Sequence, residues 1–216
     1  YIVNPVGGGT SIQQPVFPDR GMKRRSRAPD FNGDGHGDFI VTFNNTYWDN
    51  FLGGWITIWS SEAYLGGTNG SFYIAGLLPS AFHYVDVNGD RNTDIAYEAG
   101  GTWYVHLSTG TSLVGPFTSV SSSGQNAALA VVLDWNSDGY EDLVVPHSDG
   151  YWRYILGTGE GLDSTVGTGP YFGNVSETFA GDTNGDSLDD LIFANATGTF
   201  AVLTHLGVKP DLLQTV

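Results

Sequence analysis

The sequence predicts an all-β fold built from repeated four-stranded antiparallel units, about four β-propeller blades, on three observations. An acidic segment recurs four times at near-constant spacing. A strand rich in aromatic residues follows each copy at a near-constant distance. No stretch carries the 3.6-residue apolar period over ten or more residues that a helical array requires.

The acidic segments are DFNGDGHGDFI from Asp30, DVNGDRNTDIA from Asp86, DWNSDGYEDLV from Asp134 and DTNGDSLDDLI from Asp182, with starts 56, 48 and 48 residues apart. The aromatic landmark lies 9, 10 and 10 residues beyond the last Asp of the later copies, at Trp103, Trp152 and Phe200. In the first copy the step from Asp38 to Trp55 is 17 residues, so NNTYWDNF and its neighbours read as a local insertion.

Within each unit a short apolar strand (YVD, AVVLD) enters the acidic loop and a second (FIVTF, IAY, LVV, LIF) leaves it. A Gly-containing turn leads to the aromatic strand (GGWITIW, GTWYVHL, GYWRYIL, GTFAVL), and a Gly/Ser/Thr-rich stretch with a weaker fourth strand closes the unit. Four strands in 45–50 residues match a propeller blade; the rungs of a β-solenoid are much shorter. The expected divisions are 1–29 as a linker or closing strand, then blades at 30–80, 81–124, 125–172 and 173–216, the last lacking a clear fourth strand. Four blades either close on themselves in this chain or form part of a larger propeller.

Composition agrees and excludes several functions. Glycine stands at 31 of 216 residues, about twice the usual ~7%, and 29 residues are Phe, Tyr or Trp, which favours strands and turns. With no cysteine, neither disulfides nor thiolate metal sites hold the fold. The longest apolar run, 127–133, falls far short of the ~18 residues that read as a membrane span. A net charge of −15 argues against binding nucleic acid or an anionic membrane. The chain opens without Met or a signal-peptide pattern and reads as a mature product or a piece of a longer polypeptide. Five of its eight basic residues (Arg20, Lys23, Arg24, Arg25, Arg27) cluster just before the first acidic loop, as an exposed linker or as a processing or docking strip.

Numbered from the first Asp, each loop has Asp at positions 1, 5 and 9 and Asn at position 3. Alternate side chains of a tight loop converge, and these offer hard oxygens suited to calcium, with position 7 adding a main-chain carbonyl. The candidate ligand sets are Asp30, Asn32, Asp34, His36 and Asp38; Asp86, Asn88, Asp90, Asn92 and Asp94; Asp134, Asn136, Asp138, Tyr140 and Asp142; and Asp182, Asn184, Asp186, Leu188 and Asp190. The variety at position 7 fits a place where only the main chain matters, and oxygen-only donors argue against zinc or copper. An EF-hand needs a Glu at position 12 flanked by helices; here position 12 is Val41, Tyr97, Val145 and Phe193, all in predicted strands.

Asp, Asn and Gly are also turn formers, which accounts for one copy but not for the same ligand positions in four, taking 12 of 18 aspartates. Three carboxylates in one loop repel without a cation; up to four calcium ions would bring −15 to −7. Position 6, where a sharp turn favours glycine, is Gly35 and Gly139 in two copies but Arg91 and Ser187 in the others. The second loop, with Arg91 at its rim, is expected to be the weakest or an empty site. At extracellular affinities each occupied loop adds about 1.4 kcal/mol, so the loops read as staples.

Elsewhere the signals are thin. The five histidines (His36, His83, His106, His147, His205) share no unit position, and His106 reads as a packed ring more readily than as a channel lining. No nucleophile elbow or P-loop occurs. A carboxylate pair for glycoside hydrolysis would have to come from Glu62, Glu98, Glu160 or Glu177. Trp55, Trp103 and Trp152 recur once per unit and either fill the space between units or stack on sugars.

The loops and their trailing apolar residues resemble the calcium loops of FG-GAP/VCBS repeats, the blades of integrin-α-type propellers. The segment GGTWYVHLSTGTSL (100–113) and the tail THLGVKPDLLQTV (204–216) resemble the propeller portion of SpvB-like and insecticidal toxin complex B-type subunits, related to Rhs proteins. That resemblance implies a bacterial secreted or cell-surface assembly in which the propeller meets a protein partner or the flanking domains of a longer chain. The expected function is a non-enzymatic, calcium-stabilised interaction scaffold; the alternative is a calcium-dependent, lectin-like propeller that binds glycans.

Overall fold

A computed structural model describes residues 10–11, 28–49, 51–67, 70–74, 78–79, 81–186, 188–195 and 200–203. Among these residues, fifteen strands form four antiparallel sheets, each made of strands consecutive in the chain. The first holds β1 (Thr10–Ser11), β2 (Phe39–Asp49), β3 (Gly54–Tyr64) and β4 (Ser71–Ile74). The second holds β5 (His83–Val85), β6 (Asp94–Ala99), β7 (Thr102–Ser108) and β8 (Leu113–Ser121). A short 3-10 turn (Ala127–Leu129) precedes the third, of β9 (Val131–Leu133), β10 (Asp142–Pro146), β11 (Tyr151–Ile155) and β12 (Gly167–Tyr171). The fourth holds β13 (Val175–Gly181), β14 (Asp190–Asn195) and β15 (Phe200–Leu203), three strands among the described residues.

The sheets pack in series. Val85, Val87, Ala96, Trp103 and Val105 of the second meet Val132, Leu143, Val145 and Ile155 of the third. Val131, Leu133, Trp135, Val144 and Trp152 of the third meet Ala180, Leu191 and Phe193 of the fourth. Phe31, Ile40, Ala63, Phe72 and Ile74 from the first unit meet Ile95 and Leu113 of the second. Alternation of side chains along a strand produces this arrangement: Leu143 and Val145 of β10 face the preceding sheet and Val144 the following one. Covered on both faces, β10 is buried throughout, and after Asp142 at its start every residue is apolar.

Strand β1 lies ahead of the first acidic loop and pairs with β2 through Thr10↔Phe43 and Ser11↔Thr42. The segment before residue 30 therefore contributes the leading strand of the first sheet; the basic run at 20–27 lies outside the described residues. The insertion in the first copy extends the β2–β3 hairpin. This hairpin pairs continuously from Phe39↔Tyr64 to Asp49↔Gly54, whereas β10–β11 pairs only from Leu143↔Ile155 to Pro146↔Trp152. Its turn is held by Asp49, whose Oδ1 accepts the main-chain N–H groups of Phe51 and Leu52, both at 2.8 Å.

Candidate metal centre

In the second, third and fourth units the acidic loop joins the first strand to the second, and position 9 opens the second strand. Position 9 is buried in all four copies, at 4, 0, 0 and 0% exposure for Asp38, Asp94, Asp142 and Asp190. One carboxylate oxygen accepts the main-chain N–H of position 2: Phe31 at 2.5 Å, Val87 at 3.1 Å, Trp135 at 2.7 Å and Thr183 at 2.9 Å. In the first three units the other oxygen accepts an N–H from just beyond or at the end of the third strand: Gly66 at 2.7 Å, Ser108 at 2.8 Å and Gly157 at 2.7 Å. This carboxylate ties the loop to two strands, a role the residue pattern alone does not disclose.

The exposed half of each loop closes on itself. Position 1 accepts N–H bonds from the tip: Gly35 to Asp30 at 2.8 Å, Arg91 to Asp86 at 3.0 Å, Gly139 to Asp134 at 2.9 Å and Gly185 to Asp182 at 2.6 Å. The position 3 amide donates to the position 5 carboxylate, at 3.0, 3.2, 2.8 and 2.9 Å for Asn32, Asn88, Asn136 and Asn184. Position 5 accepts the N–H of position 7, at 2.8, 2.8, 2.9 and 2.9 Å for His36, Asn92, Tyr140 and Leu188. Position 7 thus takes part through its main chain whatever its side chain, although the His36 ring also sits 3.1 Å from Asp34.

Two loop positions need a left-handed backbone. Position 6 has φ of +85° at Gly35, +92° at Gly139 and +71° at Arg91, so the second loop keeps the same bend with a side chain in place of glycine. Ser187 lies outside the described residues. Position 4 has φ of +67° at Gly33, +71° at Gly89, +60° at Ser137 and +83° at Gly185; the Asn-Gly and Asn-Ser pairs are its trace in the sequence.

Electrostatically, three loops hold mutually repelling carboxylates. Burial, then the charges of Asp90 and Asp86, push Asp94 up to about 8 against the bonds from Ser108 and Val87. Asp142 is pushed up to about 7 by burial, with Asp138 and Asp134 adding to it. Asp38 is raised by burial, with smaller contributions from Asp30 and Asp34. Positions 1, 5 and 9 therefore lie close enough to feel one another, and their oxygen-only chemistry fits a hard cation. Against this, among the described residues no three His, Asp or Glu side chains are grouped as a ready-made metal cage.

Consecutive loops are clamped together. Asp30 N–H donates to Thr93 Oγ1 at 2.8 Å while Thr93 N–H donates to Asp30 O at 2.7 Å. Asp86 N–H donates to Glu141 Oε2 at 2.8 Å while Glu141 N–H donates to Asp86 O at 2.9 Å. Position 1 of one loop is thus held by position 8 of the next. Position 2 is held as well: Ser108 Oγ donates to Phe31 O, and Thr158 N–H to Val87 O at 3.1 Å.

The other candidates resolve simply. Trp103 and Trp152 are 0 and 1% exposed and belong to the cores between sheets, whereas Trp55 stands 71% exposed on the hairpin. His106 is buried and stacks on Tyr97. Glu62 accepts from Ser71 and Tyr64, and Glu98 from Gly101 N–H and Ser122.

Fold and loops together define an all-β protein of serially packed antiparallel sheets, each carrying one acidic loop. No protein-family model and no curated protein matches the chain. Among solved structures, a chain of the Photorhabdus luminescens Tc holotoxin pore is similar to it over 98% of this chain, at 14% identity and a TM-score of 0.48. This chain spans 12% of the length of that one.

Proposed function

We propose that this chain is a calcium-stapled β-propeller segment, non-enzymatic, which serves as a rigid interaction scaffold in a larger secreted or cell-surface protein. The observation that carries the reading is the fourfold recurrence of one loop pattern, with positions 3, 5, 7 and 9 bonded in the same way in every copy. The serial packing of sheets supports their reading as blades. The setting in a toxin-complex-type assembly rests on the sequence of 100–113 and of the tail, which lies outside the described residues.

The aspartates at positions 1, 5 and 9, the Asn at position 3 and the position 7 carbonyl would hold each ion. A bound calcium supplies positive charge that relieves the repulsion among the three carboxylates. In the first three units position 9 already holds the second and third strands, so an ion there would brace the hairpin root.

The experiment is a thermal melt of the chain in 1 mM calcium and in chelator, with bound calcium counted by elemental analysis. Four sites at about 1.4 kcal/mol each amount to on the order of 6 kcal/mol, and for a chain of this size each kcal/mol shifts Tm by about 2–4 °C. A fall of roughly 6–20 °C in chelator, rising with the two to four calcium ions bound per chain, is expected. Identical melting curves and no bound calcium would end the reading.

A further inference from the structure

The extended β2–β3 hairpin carries a surface that the loops and cores do not use. Directly paired residues share a face of an antiparallel ribbon. Beyond the buried pairs Ile40↔Ala63 and Thr42↔Ser61, the same face continues outward as Asn44↔Trp59, Thr46↔Thr57 and Trp48↔Trp55. Trp48, Trp55 and Trp59 are 49, 71 and 44% exposed, and none joins the three hydrophobic cores. The Trp48 and Trp55 rings meet edge to face with centroids 5.7 Å apart, and the Thr46 and Thr57 hydroxyls are 2.8 Å apart between the two tryptophan rows.

We propose that this face binds a neutral oligosaccharide, in a site separate from the calcium loops. Two observations select that ligand. First, the rows alternate indole with hydroxyl and amide. A sugar chain presents C–H faces to the indoles and hydroxyl groups to the Asn44 amide and to the bonding capacity that the Thr46–Thr57 hydroxyl pair leaves over, whereas an acyl chain or an apolar protein groove would bury that amide and that capacity unsatisfied. Second, these six side chains carry no charge on a chain whose net charge is −15. Phosphates, sulfated or sialylated sugars and acidic lipids would be repelled by the body of the protein while finding no cation on the face. Trp55 and Trp59 lie four residues apart on β3, about 13 Å along an extended strand, so the ligand is a short chain and not a single sugar. The hairpin belongs to the one unit whose repeat is lengthened, as expected of an addition the cores do not require.

The test is an array of neutral oligosaccharides of differing linkage, followed by tryptophan-fluorescence titration of the hits with the whole chain in calcium. Saturable binding of at least one neutral oligosaccharide is expected, with sulfated counterparts at least tenfold weaker. Trp55→Ala, and separately Thr46→Val with Thr57→Val, should each weaken binding tenfold or more, with folding verified by circular dichroism and an unchanged melting curve. Failure of the folded wild type to bind any neutral oligosaccharide would overturn the proposal. So would Trp55→Ala binding like wild type. If the double valine variant instead gains affinity for phosphatidylcholine vesicles or for a second copy of the chain, the occupant is apolar and the sugar is wrong.

Discussion

At the scale of single residues, the last Asp of each loop has a structural task beside any metal ligation, since it accepts main-chain N–H groups. Asp142 is fully buried and accepts two main-chain N–H groups, from Trp135 and Gly157, each at 2.7 Å. Replacement by Ala strands both donors, at about 1–3 kcal/mol each. We expect Asp142→Ala to destabilise the chain by about 2–6 kcal/mol in urea unfolding with chelator present. A residue serving only as a metal ligand would show no loss under that condition. The opposite sign is expected at Ser137, a non-glycine residue at φ +60° in a position where three of the four loops have Gly. A side chain there costs about 1–2 kcal/mol of backbone strain, part of which returns to the unfolded chain as flexibility when Gly replaces it. Ser137→Gly should raise Tm by about 1–4 °C; a lower Tm would show that the bonding Ser137 makes outweighs the strain.

At the scale of elements, the coupling between units runs through main-chain groups. Gly157 sits where the second loop, the third loop and the end of β11 converge: a Cβ there would lie 2.6 Å from Glu141 O and 2.8 Å from Val87 O. Both neighbours are backbone, so they cannot swing aside. Gly157→Ala should cost about 1–3 kcal/mol through overpacking, and should speed amide exchange at Glu141, Thr158 and Gly159 before the rest of the third sheet. Uniform loss of protection across all four sheets would refute local coupling at this junction. The sequence discloses the loops and strands because their chemistry is local: Asp, Asn and Gly set the bends, and apolar residues in alternation set the flanking strands. It does not disclose the clamps. Position 8 is Gly37, Thr93, Glu141 and Asp189, with no shared residue type, since its main-chain N–H does half the bonding and its side chain varies. The third-strand donors Gly66, Ser108 and Gly157 are equally silent, because any residue except proline supplies an N–H. Strand β1 also escaped detection as part of the first sheet, being two residues long and separated in sequence from its acidic loop. The insertion in the first unit was legible as a change of spacing, but its exposure was not, because tryptophans at similar landmarks are buried in two units and bare in the other.

At the scale of the whole molecule, sheets packed in series make stability a sum of unit terms and interface terms, as in repeat proteins. The interface between the second and third sheets contains a titratable member. His83 of β5 packs beside Trp103 with ring centroids 5.9 Å apart, and its Nε2 lies 3.1 Å from the carbonyl of Ala127 in the turn that leads into the third sheet. Burial holds its pKa below the ordinary value near 6.5, against the smaller pull of the Ala127 carbonyl. Between the folded pKa and 6.5 the unfolded chain binds more protons at this ring, so its contribution is complete above about pH 6.5 and is lost as pH falls towards the folded value. Asp94 and Asp142 have the reverse sign: raised to about 8 and about 7, they favour the fold at low pH and lose that contribution as pH rises through those values. His106, lowered by burial, acts in the same direction as His83. A bare pH scan therefore mixes opposing slopes, and the difference between wild type and His83→Gln isolates one of them, since Gln keeps an N–H for Ala127 without titrating. The two melting temperatures should stay a constant distance apart above pH 7, and wild type should fall relative to the variant as pH is lowered from 7 to 5. A difference that stays flat from pH 8 to pH 5 would mean that the second and third sheets admit the imidazolium without cost, and that their interface is looser than its packing indicates.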